Sequence, residues 1–111
     1  MSFVRACALA DLPLGKAVSI ELERDWPYAL VNTTEGVFAI QDVCSHAEVP
    51  LSDGDVDGCT LECYMHGSRF DLRTGLPLEL PATQPVPVYP VRVDGDHVLI
   101  DPDNPIQTQE Q

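Results

Sequence analysis

The chain is written in short apolar alternations rather than helical stripes. In AVSIELE (17–23), Val18, Ile20 and Leu22 alternate with polar neighbours, the period-two pattern of a half-buried strand. YALVNT (28–33) and GVFAI (36–40) are apolar runs on either side of the turn-like TTEG. Near the end, PVRV and HVLI flank Asp94-Gly95-Asp96, a hairpin signature because glycine accepts the positive φ that such a turn requires. Asp53-Gly54 and Asp57-Gly58 punctuate the middle in the same way. Five of the ten prolines fall within 77–90 and exclude a long helix there. No segment sustains a helical apolar period, so the pattern predicts an all-β domain of many short strands.

Two regimes follow from this pattern. Residues 1–41 and 83–101 read as ordinary strand and turn sequence, whereas about 42–82 is loop-rich, punctuated by glycine, and holds two of the three histidines. The middle therefore reads as a small subdomain inserted into a β base. With 111 residues in all, 1–101 is expected to be one domain around one core. Past Asp101, PDNPIQTQEQ has little apolar content and is expected to be a polar flexible tail over 102–111.

Composition narrows the class further. Hydrophobic residues make up 44 % and charged residues 22 %, a globular balance. The opening MSFVRACALADLPLGK has only a short apolar run, broken by Asp11 and Pro13, and no stretch approaches a membrane span, so a cytoplasmic protein without membrane association is expected. Eighteen acidic against six basic residues leave a net charge of −12, which excludes nucleic acid as a partner. Six acids and no Lys or Arg lie from Asp42 to Glu62, a distribution that serves solubility or the steering of a basic partner.

That acidic run separates two clusters of a different chemistry. Cys44-Ser-His46 and Cys63-Tyr-Met-His66 each place a thiol near an imidazole, with sixteen residues between His46 and Cys63. Two sulfurs and two nitrogens suit a tetrahedral zinc ion. They also suit a [2Fe–2S] cluster with thiolates on one iron and imidazoles on the other. Zinc fingers keep the cysteines together and the histidines together on a helix, whereas here each loop mixes the two, which suits a two-iron rhomb. Gly67 lets the backbone turn sharply past a bulky inorganic core, and Ser68 offers a hydroxyl to a cluster sulfur.

CSH at 44–46, CYMHGSRFD at 63–71, the RTG at 73–75 and the proline-rich LPATQPVPVYPV that follows together resemble the Rieske iron–sulfur signature, in the form carried by the small ferredoxins of ring-hydroxylating oxygenase systems. The likeness covers almost the whole chain up to about Asp101. It implies the Rieske fold, an antiparallel β-sandwich or barrel base in three sheets with a small cluster-binding subdomain. It implies that Cys44 and Cys63 bind one iron and that His46 and His66 bind the other, solvent-facing one. Gly67, Ser68, Phe70 and Pro81 would then surround the ligands, with the loop around Pro81 covering the cluster. High-potential respiratory members have a disulfide between positions corresponding to Val49 and Met65, and a tyrosine hydroxyl where this chain has Phe70.

The implied role follows by exclusion and by resemblance. A catalytic oxygenase needs a mononuclear iron held by two histidines and a carboxylate, and only His97 is left over. No G-x-G-x-x-G fingerprint for a nicotinamide or flavin is present. The chain is thus expected to be a monomeric one-electron carrier with no substrate site, taking electrons from a flavin-dependent ferredoxin reductase and giving them to a terminal non-heme iron oxygenase. The alternatives are a redox or accessory ferredoxin for iron–sulfur cluster assembly, and a purely structural zinc domain. Cys7 and Cys59 are expected to pack in the core, Trp26 and Tyr28 to be half-buried packing residues, and His97 to lie on the surface. Arg69 and Arg73 are expected either to pair with Asp71 or Glu79 or to meet a docked partner.

Two ferric ions, two sulfides and two thiolates carry no net charge when both imidazoles are neutral, which raises the potential above that of four-cysteine clusters. Each hydroxyl donor to sulfur stabilises added negative charge, so Phe70 lowers it again within the family range. Protein-film voltammetry is therefore expected to give a value near the low end, around −150 mV. A value well above zero would contradict the assignment of Phe70.

Overall fold

The computed structural model describes residues 3–22, 27–43, 50–63, 69–78, 86–103 and 105–106. Among these residues, ten strands account for the alternations and runs: β1 (Val4–Ala8), β2 (Ala17–Ile20), β3 (Tyr28–Thr33), β4 (Gly36–Gln41), β5 (Asp55–Asp57), β6 (Thr60–Glu62), β7 (Arg69–Asp71), β8 (Val88–Tyr89), β9 (Val91–Asp94) and β10 (His97–Ile100). They form three antiparallel sheets, in the orders β1-β10-β9, β2-β3-β4-β8 and β5-β6-β7. Helical turns among the described residues are confined to Leu9–Asp11 and Leu51–Asp53.

The four-stranded sheet is the middle of the molecule, and its sequence shows why. Tyr28, Ala29, Leu30 and Val31 are all buried in succession. Ala29, Val31, Ile40 and Val88 turn to one apolar cluster, with Leu51, Leu61, Cys63, Phe70, Leu72 and Val86. Tyr28, Leu30, Ala39 and Tyr89 turn to the other, with Leu12, Val98 and Ile100. A sheet covered on both faces needs no polar alternation, and each large apolar side chain it buries contributes about 1.5–3 kcal/mol over exposure. Tyr28 is fully buried rather than half-buried, its ring edge-on to Tyr89 with centroids 5.0 Å apart. Trp26 lies outside the described residues.

Turns fall where the sequence placed them. Thr33 pairs with Gly36 across Thr34-Glu35, and the Thr33 hydroxyl accepts from Glu35 N–H at 3.0 Å while donating to Gly36 O at 2.9 Å. Asp94 pairs with His97 across Gly95-Asp96, with Gly95 at φ +61° as a two-residue hairpin demands. Asp57 pairs with Thr60 across Gly58-Cys59, so Cys59 belongs to the turn, not to the strand leading to Cys63. It is buried all the same and packs in the core, as expected. Cys7 packs partly buried against the other cluster, both thiols are outside any disulfide, and His97 is exposed.

Past Asp101 the described residues keep contact with the base. Asp101 and Pro102 are buried, Asp103 N–H reaches the Asp101 carboxylate at 3.3 Å, and Ile106 N–H donates to Val88 O at 2.7 Å. A polar composition gave no sign of this, because the bridge satisfies the open edge of β8, a feature that exists only after β8 has paired with β4. Residues 107–111 lie outside the described residues.

At Gly54 an added Cβ would run into the backbone carbonyl of Glu62. Gly54→Ala is expected to cost about 1–3 kcal/mol, read as a lower urea midpoint. An unchanged midpoint would mean that this contact relaxes freely.

Candidate metal centre

β4 and β8 are neighbours in the middle sheet, so the chain between them must leave the sheet and return to the same edge. That excursion contains the β5-β6-β7 sheet and three loops whose stems lie side by side. The first loop starts after β4, where Gln41 N–H donates to Pro87 O at 2.9 Å and Asp42 N–H to Pro27 O at 3.0 Å. Its far end is the turn Leu51–Asp53, with Leu51 fully buried. The Asp42 carboxylate, 1 % exposed, joins the two ends by accepting from Ser52 N–H at 2.6 Å and from the Ser52 hydroxyl at 2.7 Å.

The second loop closes the β6–β7 hairpin, whose last pair is Glu62 and Arg69. Cys63 is its first residue and is fully buried among Leu61, Phe70, Leu51 and Val86. The third stem leans on the second: Pro77 bridges to Phe70, and Leu78 N–H donates to Arg69 O at 2.7 Å. On its return, Val86 N–H donates to Gly75 O at 2.9 Å. Two glycines make the junctions possible. Gly54 sits against the Glu62 carbonyl and Gly75, at φ +80°, against the Val86 carbonyl, so neither position has room for a side chain.

Of the residues expected at the site, Cys63 and Phe70 are described, and both are fully buried in the same cluster. Cys44, His46, His66, Gly67, Ser68 and Pro81 lie outside the described residues, as do Val49 and Met65. Among the described residues no other group of three or more His, Cys, Asp or Glu side chains could hold a metal ion. Sequence reasoning missed Asp42, Ser52, Gly54 and Gly75. Asp42 was counted only as part of an acidic run, although it is buried while Asp53, Asp55 and Asp57 are exposed.

Charges around the stems are paired locally. Arg69 lies 3.7 Å from Asp57, and Arg73 lies 3.2 Å from Glu35 and 3.6 Å from Asp71. The pairing of Arg73 with Asp71 was expected, whereas those with Glu35 and Asp57 join residues far apart in sequence. Burial pushes the Cys59 thiol up from its ordinary value, with Arg73 opposing the shift and Glu35 and Asp71 adding to it.

A buried cysteine at the mouth of a hairpin suits a thiolate whose charge is balanced by bound iron. The antiparallel β fold and the cysteine and histidine donors of the sequence together fit a β-sheet iron–sulfur protein. The sequence model of the Rieske [2Fe-2S] domain matches residues 2–90. The ferredoxin subunit of 3-phenylpropionate/cinnamic acid dioxygenase from Escherichia coli K12 is 41 % identical over 102 residues, 91 % of this chain and 94 % of that protein. The ferredoxin of carbazole 1,9a-dioxygenase from Nocardioides aromaticivorans IC177 superposes with a TM-score of 0.85 at 36 % identity, over 92 % of this chain and 99 % of that one. A chain from a complex of reduced oxygenase and oxidized ferredoxin in carbazole 1,9a-dioxygenase gives 0.83 at 31 %, over 88 % and 91 %.

The chain belongs to the Rieske [2Fe-2S] domain family, and its cofactor is one Rieske-type [2Fe–2S] cluster. The all-β Rieske fold in three antiparallel sheets and the resemblance to oxygenase ferredoxins are both borne out. No helix among the described residues is long and apolar enough to cross a membrane.

Because Cys59 is buried and its burial raises the thiol pKa, iodoacetamide at pH 8 is expected to label this thiol far more slowly in the folded protein than after denaturation. Rapid labelling of native Cys59 would contradict its burial.

Proposed function

We propose that this chain is a one-electron carrier that takes electrons from a flavin-dependent ferredoxin reductase and passes them to a terminal non-heme iron oxygenase. The observation that carries this reading is the convergence of three loop stems on the fully buried Cys63, in a chain that spans nearly the full length of ferredoxin subunits of dioxygenase systems. In this reading Cys44 and Cys63 would hold one iron of the cluster, and His46 and His66 the other. When bound, the cluster supplies a one-electron couple.

The protein's own residues do the rest. The apolar cluster around Cys63 keeps water from the thiolate side, which lowers the local dielectric and strengthens hydrogen bonds to sulfur. Around the ligands, Gly67 would let the backbone turn, Ser68 would offer a hydroxyl to a cluster sulfur, Phe70 offers none, and the loop around Pro81 would cover the cluster. His46 and His66, as the ligands of the solvent-facing iron that the family resemblance implies, would be the route to a docked partner. A single domain over 1–101, with residues about 42–82 as the cluster-binding unit and 102–111 as a polar tail, accommodates this division of labour. The protein acts without a substrate site of its own, as a monomer in the cytoplasm. Its likeness to dioxygenase ferredoxin subunits favours the oxygenase as acceptor over a role in cluster assembly.

The test is reconstitution: reduced protein is expected to show a Rieske electron paramagnetic resonance signal, two irons and two acid-labile sulfides, and to support turnover by a reductase and oxygenase pair. His66→Cys is expected to lower the potential or abolish cluster binding. An unchanged potential would remove His66 from the ligand set, and a colourless zinc-loaded protein would overturn the assignment.

A further inference from the structure

We infer that Asp42 is a positioning residue for the cluster: its buried carboxylate clasps Ser52 and so fixes the two ends of the loop that carries Cys44 and His46. The inference rests on the ligand reading above and adds a residue that the Cys/His pattern does not contain. Burying a carboxylate is costly unless its oxygens are satisfied. Here Oδ1 accepts from Ser52 N–H at 2.6 Å and Oδ2 from the Ser52 hydroxyl at 2.7 Å, two short charge-assisted bonds to a residue ten positions away.

Each end of the clasp is anchored independently, so the pair transmits geometry rather than floating with the loop. Asp42 N–H is held by Pro27 O at 3.0 Å, directly after the β4 strand. Ser52 lies between Leu51, which is fully buried in the core, and Asp53, whose successor Gly54 abuts the carbonyl of Glu62. Glu62 directly precedes Cys63. The carboxylate therefore registers the first ligand loop against the base of the second, across a contact that admits no side chain at Gly54. Cys44 is two residues from Asp42, within the span that the clasp closes. Asp53, Asp55 and Asp57 of the same acidic run are exposed, so the burial of Asp42 is not a consequence of local composition.

Three variants separate positioning from charge and from overall stability. Ser52→Ala keeps the carboxylate charge and loses one clasp bond. Asp42→Asn loses the charge, but its amide oxygen still accepts from Ser52 N–H. Asp42→Ala loses both. In the cluster-loaded protein, Asp42→Ala is expected to release iron to a chelator about tenfold faster than wild type, the scale of a lost hydrogen bond to a charged group. Its reduced-state paramagnetic resonance lines are expected to broaden, as ligand geometry spreads. Ser52→Ala is expected to share both effects to a lesser extent, and Asp42→Asn to keep narrow lines. If Asp42→Ala does not fold, Ser52→Ala against Asp42→Asn still decides the matter. Ser52→Ala indistinguishable from wild type in both readouts, or Asp42→Asn as broad as Asp42→Ala, would overturn the clasp while leaving the ligands intact. A wild-type protein without the Rieske signal would instead overturn the ligand reading, and the clasp with it.

Discussion

The pairing of β4 with β8 is the constraint on which the rest of the molecule depends. Ala39 faces Tyr89 and Ile40 faces Val88, although almost fifty positions separate them. Everything between must leave the middle sheet and come back to its edge, and that enforced excursion carries the loops of the metal centre. Closing so long a connection costs only slightly more entropy than closing a shorter one, since the cost grows logarithmically with length. What stabilises it is the apolar cluster that Leu51, Leu61, Phe70, Leu72 and Val86 form with one face of the middle sheet.

Rigidity at the centre comes from that same packing. A carrier that changes charge by one electron works best when its surroundings reorganise little, and fixed dipoles and packed side chains provide this. The stems meet backbone to backbone at Gly54 and Gly75, and through hydrogen bonds from Leu78 to Arg69 and from Val86 to Gly75. Contacts of this kind leave little freedom for one ligand loop to move without the others. The opposite face of the middle sheet is packed on β1-β10-β9 and serves as foundation.

Much of the site was legible because its chemistry is concentrated in two short strings. A cysteine and a histidine two or three residues apart, repeated once and followed by GSRFD, suggest a ligand set without reference to the fold. The supporting residues were not legible in the same way. Asp42 and Ser52 are common residue types with nothing local to distinguish them from solvated neighbours. Cys59 illustrates the reverse case, a ligand-type residue four positions from Cys63 that the Asp57–Thr60 hairpin turns into the core.

The sequence by itself determined an all-β chain, its turns and, through its resemblance to the Rieske signature, the kind of cluster, since alternation, glycine positions and motif residues act within a few residues of one another. Tertiary structure decided which apolar runs were covered on both faces, as at YALV, and where the chain end was held, through Ile106 on Val88. It also decided which of many acids was buried, Asp42 on Ser52, and which glycines had to be glycine. These outcomes depend on what lies across a sheet or beneath a loop. Partners brought together from distant positions leave no periodic trace along the chain.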